Sequence, residues 1–304
     1  LEAVARICRL VQGLPLAILL AASWAGMLTP AQIASQLEGK SGRGLGFLQT
    51  DSQDLPARQR SMRALFDHSW DLLAARERQV LASLSVFRGS FSLEAARQAA
   101  GASLRELRAL MDRSLLQRAA AGRYAMHELL RQYAGDRLAE APSAAQSVRE
   151  RHCAYFAAAV ERWWADLQGP RHRAALAEMG AENGNLRAAW DSAVDRGQIA
   201  QLNQAMDGLC YFHKWLGRYE EGEGLCQRVV EGLAKTDDLC REEVPAPSGG
   251  PDPSGRVRAR ALAWQGVFCH RLGRREEARD LLQHGCVLRV RQRPGLRGHK
   301  DLHR

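Results

Sequence analysis

The residues with clear chemical potential are few and scattered along the chain. A phosphate-binding loop requires G-x-x-x-x-G-K-[ST], because its backbone N–H groups and its lysine cradle phosphate oxygens. Gly39–Lys40–Ser41 is the one candidate, but Ala34 stands where the first glycine belongs. The approach to it, residues 30–37, reads as helix where a buried strand is needed, so the match fails. Cys210 and His213 have the spacing of a metal pair, yet no second pair lies at a plausible distance, and they read as one helix face. No nucleophile–base pairing, carboxylate pair or strand ending in paired acids for magnesium stands out. Catalytic and metal-binding residues are therefore expected to be none, and the chain as given is not expected to be an enzyme. His127 opens a helical pattern beside N–H groups that lack intrahelical partners, a position that suits either an anionic phosphate or a plain structural cap. Pro15, within Gly13–Leu14–Pro15–Leu16–Ala17, starts an apolar helix, where proline is well tolerated.

Composition narrows the setting. A chain of 304 residues with 46% hydrophobic content can bury two or three cores. No apolar run reaches the roughly 18 residues that a membrane span needs, and the best candidate, residues 14–22, is about half that length. The chain opens on Leu1 with no charged leader before an apolar stretch and a small-residue cleavage site, so no signal peptide is visible. Seven scattered cysteines without a Cys-x-x-Cys point to reduced thiols and a cytoplasmic location. The net charge of +9 is concentrated at the end, where residues 285–304 carry six basic residues and one acid and so supply +5 of it. That basic tail has little apolar periodicity and is expected to be disordered.

The elements that would position these residues are almost all helical, since apolar residues recur at three- and four-residue spacing nearly throughout. Residues 39–56 are rich in Gly, Ser, Asp and Gln and read as a linker or long loop. Residues 60–140 read as a unit of several helices. One carries Leu65, Phe66, Ser69, Trp70 and Leu73, and another Val80, Leu81, Leu84 and Val86. Ser92 can cap a third, and Ser103 with Glu106 forms a capping box for a fourth. Residues 115–118 and 123–126 then form a short hairpin, with a helix following from His127. Several helices, a two-stranded wing and a closing helix describe a winged helix. Its fourth helix would be the one offered to a DNA groove, but Arg105, Arg108 and Arg113 are mixed there with Glu106 and Asp112.

Beyond residue 147 the pattern is that of helical hairpins. Leu216–Gly217 and Leu272–Gly273 each form the tight turn of a tetratricopeptide-like repeat, and the two glycines lie 56 positions apart. Subtracting a repeat of about 34 residues leaves roughly the length of the Pro/Gly-rich insertion at 235–255, through which no helix is expected to continue. An earlier hairpin, from Glu182 through Asp195 to Ile199–Leu209, starts the array. Trp163, Trp164, Trp190, Trp215 and Trp264 are expected in its core rather than on a ligand platform.

Five motifs occur in order: Gln12–Gly13–Leu14–Pro15–Leu16–Ala17, Arg60–Ser61–Met62–Arg63–Ala64, Leu84–Ser85–Val86–Phe87–Arg88–Gly89, Ser114–Leu115–Leu116, and Tyr124–Ala125–Met126–His127–Glu128–Leu129–Leu130–Arg131–Gln132–Tyr133–Ala134. Together they resemble the STAND class of signal-transduction ATPases with numerous domains, which includes NB-ARC proteins. The chain is especially similar to bacterial regulators that end in tetratricopeptide repeats. The resemblance implies the C-terminal portion of such a protein, without its phosphate-loop core. The fold class is then mainly α: a helical part of the nucleotide-binding module at 1–50, a winged-helix domain at 51–140, helical repeats at 148–284 and the tail at 285–304. The resemblance also implies that Pro15 lies against the adenine of bound ADP or ATP and that His127 reaches its β-phosphate. Glu128 departs from the aspartate of the family's Met-His-Asp motif. The implied role is the regulatory and sensor portion of a transcriptional regulator whose repeats bind a protein or small-molecule inducer, with self-assembly of the full-length parent. A stand-alone winged-helix and repeat scaffold, or a DNA-binding protein, are the alternatives.

Overall fold

Backbone hydrogen bonding at chain turns explains how the first helices follow one another. In the computed structural model, which describes residues 2–38, 43–50, 60–243 and 253–291, helix α1 (Glu2–Leu10) ends in a double hydrogen-bonded cap. Gly13 N–H donates to the Cys8 carbonyl at 3.0 Å and Gln12 N–H to that of Arg9 at 3.1 Å. This geometry needs left-handed backbone, and Gln12 (φ 49°) and Gly13 (φ 73°) both adopt it. Helix α2 (Pro15–Ala22) starts at once on its proline and buries Ala17, Leu20 and Ala21. Helix α3 (Pro30–Leu37) opens with a capping box in which Gln32 accepts from Thr29 N–H at 2.9 Å. The expected linker at 39–56 is not all loop. A short helix, α4 (Arg43–Phe47), lies within it because Leu45 and Leu48 are buried and Trp24 stacks on Phe47 at 5.0 Å.

The next stretch holds α5 (Met62–Asp71), α6 (Ala75–Leu84), α7 (Leu93–Ala100), α8 (Leu104–Asp112) and α9 (Glu128–Ala139). Serine caps start α5 and α7: Ser61 Oγ accepts from Ala64 N–H at 3.0 Å, and Ser92 Oγ from Ala95 N–H at 3.1 Å. Glu106 closes the box at α8, accepting from Ser103 N–H at 2.6 Å. The expected hairpin is present as β2 (Gln117–Arg118) and β3 (Tyr124–Ala125). A third strand, β1 (Ser90–Phe91), adds to it antiparallel, giving the order β1-β3-β2. Two residues are too few to show a two-residue period, so β1 is not legible in the sequence. Phe87 and Phe91 stack at 4.5 Å at the centre of this core. Tyr133 fastens α9 to α5, donating to Asp67 Oδ1 at 2.7 Å, and Arg137 bonds the same carboxylate oxygen at 2.6 Å.

The fold divides into two compact units, Leu1–His152 and Cys153–Arg304, and the division falls inside one long helix, α10 (Pro142–Leu167). The second unit contains α11 (His172–Ala181), α12 (Asn183–Asp195), α13 (Ile199–Trp215), α14 (Tyr219–Glu243), α15 (Pro253–Arg271) and α16 (Arg275–Arg291). From α12 onward the helices α12, α13, α14 and α15 each touch the next, α12 also meets α14, and α13 meets α15, which is the neighbour pattern of a stacked αα array. Three turns share one device. Gly197, Gly217 and Gly273 have φ of 61°, 68° and 84°, and at each the following N–H reaches back five residues to a helix carbonyl.

Glycines also set the helix spacing. A methyl group at Gly222 of α14 would lie 2.4 Å from the Phe268 ring of α15, and one at Gly232 would lie 2.5 Å from Val194 of α12. Helix occupies more of the expected insertion and tail than anticipated. Helix α14 runs to Glu243, α15 begins at Pro253, and α16 runs to Arg291, past the expected start of disorder at residue 285. Residues 244–252 and 292–304 lie outside the described residues. The core assignment of the tryptophans holds fully for Trp190, which is buried and donates to the Leu225 carbonyl at 3.1 Å. Trp163, Trp164 and Trp264 are half-buried. Trp215, the last residue of α13, is instead 54% exposed, with its ring against His172 and Tyr211.

Candidate functional site

The Gly13–Leu14–Pro15 turn and the His127–Glu128 helix start are far apart in sequence but meet in the first unit. Left-handed backbone at Gln12 turns its side chain so that Oε1 accepts from the Glu128 N–H at 3.2 Å. The same corner holds the Val11 main chain beside the His127 ring, where it favours the protonated imidazole. Pro15 follows three residues after Gln12, at the first turn of α2. The structure therefore brings the turn that carries Pro15 to the helix start that carries His127. Gln12 was missed in the sequence, since its role depends on a positive φ and on a partner 116 residues away.

His127 is the N-cap of α9, and its Nδ1 accepts from the Leu129 N–H at 3.2 Å. An accepting Nδ1 places the proton of the neutral ring on Nε2. Nε2 is buried, and apart from the Val11 main chain beside the ring it has no hydrogen-bond partner among the described residues. Burial lowers the histidine's pKa, opposed by the Val11 main chain and by Glu128. A neutral imidazole with a buried N–H donor at a helix N-terminus is chemically suited to an acceptor oxygen that carries negative charge.

Glu128 is engaged elsewhere. Burial pushes its carboxyl up, but hydrogen bonds and charge from Arg131 outweigh that, so it lies below the usual carboxylate range. Arg131 grips both of its oxygens, at 2.7 and 2.8 Å, while also donating to the Ser85 carbonyl. Arg131, held in place by Glu128, thus ties α9 to the end of α6.

The other sequence candidates resolve differently. Cys210 and His213 do not come together on one ligand. Cys210 faces Cys226 with the sulfurs 3.6 Å apart, and His213 Nδ1 lies 4.0 Å from Glu221. Glu223, Cys269 and Glu277 form a cluster with metal-ligand atoms close together, a grouping the sequence spacing did not reveal. Arg274 bonds both glutamates there, so one guanidinium already offsets part of their charge. Residues 39–41 lie outside the described residues. On α8, Arg105 is exposed, Arg108 pairs with Asp112 at 3.8 Å, and Arg113 donates to the Leu72 carbonyl at 3.0 Å. Among the described residues, no helix is long and apolar enough to cross a membrane.

No family model matches the chain. Over 236 aligned residues, 73% of its length, it is 32% identical to proteins provisionally named HTH-type transcriptional regulators from Mycobacterium tuberculosis and Mycobacterium bovis. Among solved structures it is similar to a Signal Transduction ATPase with Numerous Domains (STAND) protein with a tetratricopeptide repeat sensor from Pyrococcus horikoshii. That similarity has 14% identity and a TM-score of 0.32, covering 89% of this chain and 40% of that one. The chain spans 25% of the length of the mycobacterial regulators it matches.

Proposed function

We propose that this chain is the regulatory and sensor portion of a nucleotide-dependent (ADP/ATP) switch within a bacterial, cytoplasmic transcriptional regulator. The observation that carries the reading is the junction of the Pro15 turn with the His127 helix start through Gln12 and Glu128. Nucleotide would be held jointly with an upstream domain. Pro15 would offer its ring to the base and His127 its Nε2–H to a phosphate oxygen. Residues 60–140 act as a winged helix that closes on ADP. The helical repeats bind a protein or small-molecule inducer, and their binding shifts the population toward the open, nucleotide-exchanging state. The 32% identity to proteins named as regulators supports the transcriptional setting. The mixed charge of α8 gives little support to groove reading by this unit.

One observation favours a second reading, a stand-alone interaction scaffold. His127 already satisfies an α9 backbone donor through Nδ1, which is a sufficient structural role. Sequencing the genomic DNA upstream of this reading frame separates the two. A phosphate-binding loop and an acidic magnesium-binding strand within a few hundred codons support the switch, and a start codon just before Leu1 supports the scaffold.

A further inference from the structure

The first unit contains a cavity of about 360 Å³, distinct from the corner where Gln12 meets Glu128. Its volume is within the range of small-molecule sites, roughly 300–1,000 Å³. Its floor is apolar: Ala82, Leu138 and Val148 are buried there, with Trp70 packed against them. Its rim, by contrast, is strongly cationic. Arg76, Arg78, Arg137 and Arg151 all line it, and no acidic residue does among the described residues.

The hydrogen bonds of these arginines show that the charge is only partly cancelled within the fold, because Arg137 also pairs with Glu140 at 3.1 Å while Arg78 and Arg151 meet no described carboxylate. Arg78 donates to the carbonyls of Trp70 and Asp71, at 2.9 and 2.8 Å. Arg151 donates to the Ala99 carbonyl at 3.1 Å and to Ser147 Oγ at 2.6 Å. Neither is ion-paired with a described residue, whereas Arg76 pairs with Glu106 at 3.3 Å and Arg137 with Asp67 at 2.6 Å. Carbonyl bonds fix the orientation of a guanidinium while leaving its full positive charge. Arginine cannot shed that charge by deprotonation.

An apolar floor beneath a rim of four oriented guanidinium groups, two of them without an ion pair among the described residues, discriminates in two ways at once. It favours a molecule that buries a ring or an acyl chain, and it favours an anionic head that accepts charge-assisted hydrogen bonds. We propose that this cavity is a binding site for a small organic anion: a carboxylate, sulfonate or phosphate ester carried on an apolar body. The site lies wholly in the first unit, so it does not depend on the nucleotide reading above. It would give the chain a ligand input separate from its repeats.

The test uses the chain as it stands and two fluorescent probes that differ in one charged group, 1-anilinonaphthalene-8-sulfonate and the neutral N-phenyl-1-naphthylamine. The sulfonate is expected to bind one site about tenfold or more tightly than the neutral probe, since a hydrogen bond to a charged group contributes about 1.5–3 kcal/mol and a tenfold change is about 1.4 kcal/mol. Ala144→Trp, at an exposed position that lines the cavity, places a bulky ring at its mouth and should abolish binding of both. Arg151→Gln should weaken the sulfonate about tenfold and leave the neutral probe unchanged. Circular dichroism melts confirm that both variants are folded. Equal affinity for the two probes, or sulfonate affinity unaltered in either folded variant, overturns the proposal.

Discussion

Two buried histidines give the protein a defined acid sensitivity. Burial and the nearby charge of Arg88 push His152 down to about 3, and burial pushes His213 down to about 4, with Arg218 acting in the same direction. An unfolded chain holds histidine near 6.5, so below that pH the unfolded state binds more protons than the folded one. The stability these residues permit is complete above about pH 6.5. It falls as pH drops toward 4, by about 1.4 kcal/mol per pH unit for each histidine. Urea midpoints at pH 7 and pH 5 should differ accordingly, and His213→Gln should make that difference smaller. At the candidate site, His127→Ala removes a cap from α9 and should cost about 0.5–2 kcal/mol in the same measurement. His127 and Pro15 could be picked out in the sequence because the flanking motif residues are distinctive. Gln12 could not be, since nothing in its neighbours announces a left-handed glutamine with a partner across the fold.

At the scale of elements, glycine placement separates turn from packing. Gly222 and Gly224 lie two residues apart on α14 with opposite surroundings. Gly222 faces the buried ring of Phe268, while a methyl group at Gly224 meets nothing within 4 Å. Gly222→Ala should lower stability by about 1–3 kcal/mol through overpacking, and Gly224→Ala should raise it by about 0.4–1 kcal/mol through the helix preference for alanine. Thermal melts of the two variants should move in opposite directions, and a similar shift in both would deny that α14 and α15 touch at Gly222. The turn glycines Gly217 and Gly273 were legible because Leu-Gly recurs with flanking aromatic and acidic residues. The capping box at Ser103 was legible because its chemistry is local, between residues three apart. The extent of α14 was not, since the Pro-rich composition of 235–255 masks a helix that continues to Glu243 on its N-terminal side. The exposure of Trp215 was hidden as well, because residue type and spacing assign a face without showing how far it is covered at the end of a helix.

For the whole molecule, the mainly helical fold class followed from periodicity, and the order of hinge helices, mixed helix-and-sheet block and repeats followed from the motif series. The nucleotide role rests on two residues that the fold brings to one corner, and the match to this chain accounts for 25% of the length of the mycobacterial relatives. The direct measurement is ADP affinity by equilibrium dialysis on the full-length gene product that contains this chain, compared with its Pro15→Ala and His127→Ala variants. The account predicts at least about tenfold weaker ADP binding in the histidine variant, corresponding to loss of one charge-assisted hydrogen bond of about 1.5–3 kcal/mol, and a smaller loss in the proline variant. Affinity unchanged in both folded variants would contradict it, leaving Pro15 and His127 as a helix start and a helix cap.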